Sequence, residues 1–187
     1  MIDLRQRILL YLIPLMLVNP LSGANLGVDA EKTITDLFPD ASLNFESQVL
    51  QQVPKRKAEQ AANQRFNLEK LFLWDIKQNG ETVAYAVMDN VIGKVQPITY
   101  LVVYSVDLTI IYVQVLRYRE QIGGAIQNQR WLKQFEGSNP ASSFERGKDI
   151  DGITGATISV NSLTSGIKRM SVYLSIVKGV LASHDDE

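Results

Sequence analysis

Residues 99–117 read TYLVVYSVDLTIIYVQVLR. Tyr100, Val102 and Tyr104 alternate with Leu101 and Val103, and Ile111, Val113 and Val115 continue the two-residue period, which predicts strands over Thr99 to Val106 and Ile110 to Arg117. Only Val106 to Thr109 separates the runs, with no glycine to supply a positive φ, so the turn is less clearly marked than the strands. Upstream, Leu71 to Ile76 and Thr82 to Met88 flank Asn79-Gly80, a hairpin signal of its own. Successive hairpins predict an antiparallel sheet of about four or more strands, and flanking helices make the fold α+β, with one face of the sheet covered.

The helices are read from a different period. Ala30 to Leu37 places Ile34, Leu37 and Phe38 at helical spacing and is stopped by Pro39. Pro54 to Asn67 is polar and suits a solvent-exposed helix, on which Lys55, Arg56 and Lys57 beside Glu59 read as a solvated surface. Leu116 to Gly137 predicts a strand end, a glycine turn at Gly123-Gly124 and an amphipathic helix that sends Trp131, Leu132 and Phe135 inward. The glycine pair equally lets the backbone approach a flat ligand. Val160, Leu163, Ile167, Met170, Leu174, Val177 and Leu181 recur every three or four residues and predict a long C-terminal helix, with Ser159 placed as its cap.

Composition narrows the chemistry. The 187 residues, 45% hydrophobic and 21% charged, suit one globular domain with a short appendage. A formal charge of -1 gives no electrostatic case for nucleic acid as the partner. With no cysteine and a single histidine, His184, the chain has no thiolate metal site, no iron–sulfur ligation and no histidine pair for catalysis. Redox chemistry would have to come from a borrowed cofactor. At the N-terminus, Arg5 and Arg7 precede an apolar run from Ile8 to Val18 that is too short to span a membrane, then Ser22-Gly23-Ala24, so residues 1–24 read as a signal peptide and 25–187 as the mature domain. Export to the periplasm is the expectation, with a retained membrane anchor as the alternative.

Ahead of the long helix, residues 149–170 read DIDGITGATISVNSLTSGIKRM. The positive end of a helix favours an anion, and Gly155 and Ala156 would let the backbone come close to a phosphate at Thr154 to Ser159. Periodicity by itself fits an ordinary capped helix as well.

Asp151-Gly-Ile-Thr154-Gly155-Ala156-Thr157-Ile158-Ser159 resembles, at every specified position, the DxxTGATxS flavinylation motif of the FMN-binding domain in periplasmic flavin subunits of Rnf and sodium-pumping NADH:quinone oxidoreductase complexes. The chain is also similar to small exported single-domain members in Asp89 to Lys94 followed by Pro97-Ile98-Thr99, in Tyr118-Arg119-Glu120 with Gly123-Gly124, and in Gln134-Phe135 before Gly137. The resemblance runs from about Ala30 to Leu181. It implies that a magnesium-dependent flavin transferase esterifies the phosphate of FMN, taken from FAD, to the Thr157 hydroxyl. Thr154, Gly155, Ala156, Ile158 and Ser159 would shape the loop, Asp151 would belong to the transferase's recognition pattern, and Glu120, Gly123 and Gly124 would form a wall near the flavin ring. Where some relatives carry Glu-Thr-Pro-Gly-Leu-Gly, this chain has Glu120-Gln-Ile-Gly123-Gly124-Ala125. The implied function is electron transfer between redox partners, membrane-associated ones included, rather than autonomous catalysis, since no substrate pocket is marked. A non-redox exported binding or scaffold module with the same fold and no flavin is the competing reading.

Overall fold

The computed structural model describes residues 24–49, 52–62, 65 and 70–182. Residues 1–23 of the expected signal peptide lie outside the described residues. Five strands, β1 (Ser42–Val49), β2 (Lys70–Gln78), β3 (Glu81–Ile92), β4 (Pro97–Ser105) and β5 (Ile110–Arg117), form one sheet in chain order, every neighbouring pair antiparallel. Helices α1 (Ala24–Leu37), α2 (Gln52–Ala62), α3 (Gln129–Leu132) and α4 (Thr157–Ala182) flank it, which makes the fold α+β with a long C-terminal helix.

The turns follow residue chemistry. Asn79 and Gly80 both adopt positive φ, 53° and 84°, as a two-residue hairpin turn with right-handed strand twist requires. Between β4 and β5 no glycine is present, and Leu108 takes the left-handed conformation instead, at φ 64°. Burial of its side chain offsets that strain, and the Asp107 carboxylate accepts hydrogen bonds from the Ser105 and Thr109 hydroxyls on either side.

Both faces of the sheet are covered, against the expectation of one. On one face Tyr100, Val102, Tyr104, Val87, Val91 and Val113 pack with Val160, Leu163, Ile167, Met170 and Leu174 of α4, joined by Ala58 and Ala62 of α2. On the other, Leu101, Val103, Ala84, Ala86, Trp74 and Ile76 pack with Ala30 and Ile34 of α1. From Ile98 to Tyr104 every residue of β4 is buried, so this central strand shows no polar alternation. In α1 the inward positions are Ala30 and Ile34, while Leu37 is 39% exposed.

β1 is an edge strand with little apolar patterning of its own. It is held by main-chain pairing to β2 and by Phe45, whose ring lies 5.0 Å from that of its cross-strand partner Trp74. The expected helix after Gly124 is broken into 3-10 segments at Gly124–Gln127 and Lys133–Phe135 around the single turn of α3, because the Asn128 side chain accepts from the Arg130 N–H and starts a new helix there. Leu132 and Phe135 are buried as expected, and Trp131 is half-buried.

α4 sits close on β3 and β4. Asp89, 3% exposed, accepts from Arg169 Nη2 at 2.8 Å and from the Tyr100 hydroxyl at 2.8 Å, a buried ion pair completed by a phenol. No helix among the described residues is long and apolar enough to cross a membrane, and no group of three or more His, Cys, Asp or Glu among them could hold a metal ion.

Candidate functional site

α4 begins at Thr157, two residues before the expected cap. Gly155, at φ 79°, turns the chain, and the Val160 N–H makes a helical bond to the Ala156 carbonyl at 2.9 Å. Ala156 therefore occupies the cap position, its own N–H bonded to the Ile153 carbonyl at 3.0 Å, and the amides of Thr157, Ile158 and Ser159 have no acceptor one turn back, as at any helix start. Ser159 is buried in the first turn, where its hydroxyl meets that of Tyr118 at 3.2 Å. Its neighbours Thr157 and Ile158 are exposed.

Thr157 opens onto a cleft of about 570 Å³ with three walls, formed by Lys94 to Gln96 of the β3–β4 turn, Arg119 to Ile122 after β5, and Gly155 to Ser159. Val95, Ile122 and Ile158 present apolar surface there, 71%, 75% and 50% exposed, an unusual concentration of bare aliphatic groups. Lys94 and Arg119 bring positive charge.

Of the residues expected at the site, Gly155, Ala156, Thr157, Ile158, Ser159 and Glu120 line the cleft. Thr154 is exposed in the turn just outside it. Gly123 and Gly124 stand behind the wall, against the Tyr118 side chain. Asp151 lies at a separate recess beside Trp131 and Gln134, which grip its main chain from both sides. Trp131 Nε1 donates to the Asp151 carbonyl at 2.8 Å, and the Asp151 N–H donates to Gln134 Oε1 at 2.8 Å. The Asp151 carboxylate is left exposed.

The first wall carries almost no signal in the sequence. Only the Gly93-Lys94 part of its motif pointed there, and nothing in Val95 or Gln96 signals that their amides reach Glu120. The Glu120 carboxylate accepts from the Val95 N–H at 2.7 Å and the Gln96 N–H at 3.0 Å, and these bonds hold it below the usual carboxylate range.

Residues 93–171 match the model of a protein family described as the FMN-binding domain. The chain carries a domain of that family. The matched segment contains all three walls of the cleft. The chain also aligns with the crystal structure of Shewanella oneidensis NqrC, at a TM-score of 0.52 and 14% identity over 76% of this chain and 87% of that one, a likeness of fold. No curated protein matches the sequence.

The cleft suits FMN in chemistry and in size. Its volume, about 570 Å³, falls within the roughly 300–1,000 Å³ of small-molecule sites. The α4 start, with Lys94 and Arg119, suits a phosphate, and the aliphatic walls suit a flat aromatic ring.

Proposed function

We propose that the protein is an exported flavoprotein that carries FMN covalently on Thr157 and passes electrons between redox partners in the periplasm. The observation that carries this reading is the position of Thr157: an exposed hydroxyl in the first turn of α4, at the mouth of a partly apolar cleft inside an FMN-binding domain. Attachment needs a separate flavin transferase. The bond from the Thr157 oxygen to the FMN phosphorus forms as the pyrophosphate of FAD breaks, AMP departs and the hydroxyl proton is released. The phosphodiester keeps one negative charge, which the α4 start and the nearby cations favour.

Bound FMN supplies reversible electron uptake, which this chain's side chains lack. Lys94, Arg119 and the first amides of α4 would hold the phosphate end, while Val95, Ile122 and Ile158 would shield a ring face from water. Attachment also keeps the cofactor beside its cleft after export, where a released flavin would be diluted. The grip of Trp131 and Gln134 on Asp151 presents the attachment loop in a fixed shape, with the Asp151 carboxylate facing outward to a modifying partner. Similarity of fold to NqrC supports a role in electron transfer.

The test is intact-mass measurement of the chain exported together with a flavin transferase. Wild type should gain the mass of one FMN less one water, and its colour should survive denaturation. Thr157→Ala should show the unmodified mass with unfolding free energy within about 0.5 kcal/mol of wild type, because the side chain is exposed. An unmodified wild-type mass in the presence of an active transferase would overturn the proposal.

A further inference from the structure

The cleft walls come from three chain segments that are separate in sequence, and none is a regular strand. Loops of this kind keep a shape only if side chains tie them together. Three consecutive residues do so here. Glu120 Oε1 receives both the Val95 and Gln96 amides, across the turn that the Gly93 N–H closes on the Gln96 carbonyl at 2.9 Å. Arg119 Nη1 donates to the Pro97 carbonyl at 2.8 Å and to Thr99 Oγ1 at 3.1 Å, where β4 begins. Tyr118 donates its hydroxyl proton to the Ile122 carbonyl, which leaves the oxygen free to accept from the Ser159 hydroxyl in α4.

Two glycines make room for these contacts. A Cβ on Gly93 would stand 2.8 Å from Glu120 Oε1, and one on Gly123, itself at φ 91°, would stand 2.6 Å from the Tyr118 hydroxyl. A Cβ at either glycine would thus push first on a tying side chain and displace it.

We propose that Tyr118 and Glu120 form a clasp that fixes the three walls relative to one another, so that Glu120 is a positioning residue, with Gly93 the steric complement of Glu120 and Gly123 that of Tyr118. This rests on the flavin reading for its consequence, the immobilisation of the ring, but the clasp is defined without the cofactor. The carboxylate acts as a double acceptor, and Glu120→Gln keeps an oxygen able to do the same, whereas Glu120→Ala removes it.

The experiment has two arms. In the unmodified protein, amide hydrogen exchange at Val95 and Gln96 should accelerate at least about tenfold in Glu120→Ala, the factor that corresponds to one net hydrogen bond, and stay close to wild type in Glu120→Gln. In protein exported with a flavin transferase and shown by mass to carry FMN, the fluorescence anisotropy of the flavin should fall in Glu120→Ala and be restored in Glu120→Gln. Gly93→Ala pushes on the same contact from the opposite side, and it should reproduce the Ala phenotype if Glu120→Ala does not fold. Unchanged exchange in both Glu120→Ala and Gly93→Ala would overturn the clasp. So would an equal loss of anisotropy in the Ala and Gln variants, which would assign the effect to charge. If wild type carries no flavin, the flavin reading fails separately, and the exchange arm still decides the clasp.

Discussion

Gly166 lies in the middle of α4, where helix propensity alone favours replacement: alanine in place of glycine stabilises a helix interior by about 1 kcal/mol. The packing predicts the opposite outcome. A Cβ at Gly166 would fall 2.5 Å from Val91 Cγ1 and 2.6 Å from the Tyr100 hydroxyl, where carbon atoms ordinarily rest ~3.5–4.0 Å apart. About 1 Å of displacement is therefore needed in a part of the core where Tyr100 is fully buried. Overpacking of this kind costs roughly 1–3 kcal/mol. Moving the phenol also weakens its 2.8 Å bond to Asp89, a bond to a charged acceptor of the class that contributes about 1.5–3 kcal/mol. Set against the propensity gain, the expected net loss for Gly166→Ala is about 2–4 kcal/mol. Urea unfolding of the unmodified protein reads this directly, as a lower midpoint with an unchanged slope. A midpoint equal to or above wild type would refute the close approach of α4 to β3 and β4.

Asp89→Ala should destabilise the protein by about 3–5 kcal/mol in the same assay, since it strips a charge partner from Arg169, whose side chain is 12% exposed; a loss under about 1 kcal/mol would show that the pair is not buried. Acid should act through Glu120. Its folded carboxyl titrates below the ordinary 4.5, so its stabilisation is present above that value and is lost as pH falls through the depressed one. The acid-side decline of the unfolding midpoint should therefore be shallower in Glu120→Gln than in wild type, and identical profiles would count against the amide bonds to Val95 and Gln96.

Where structure follows from neighbouring residues, the sequence was sufficient. Asn79-Gly80 can hardly avoid a two-residue hairpin, Thr99 to Arg117 alternates because strands do, and the apolar repeat from Val160 onward continues as α4. The wall from Gly155 to Ser159 was legible for a related reason, because it is one short contiguous stretch of chain ahead of the helical repeat.

Other features are properties of the packed whole. β1 has too few apolar residues to announce itself and exists because β2 offers an open edge. The second covered face depends on α1 returning across the sheet, and only the unbroken burial of β4 reports it. Ser159 looked like a cap because hydroxyls commonly cap helices, yet Tyr118, forty-one residues away, draws it into the first turn instead. From its own sequence, then, this chain determined β2 to β5, its long helix and the exposed hydroxyl of Thr157 at the start of that helix. The cleft around that hydroxyl was decided only in three dimensions, because its walls meet through hydrogen bonds between segments more than twenty residues apart, and no local pattern encodes which amide a distant carboxylate will find.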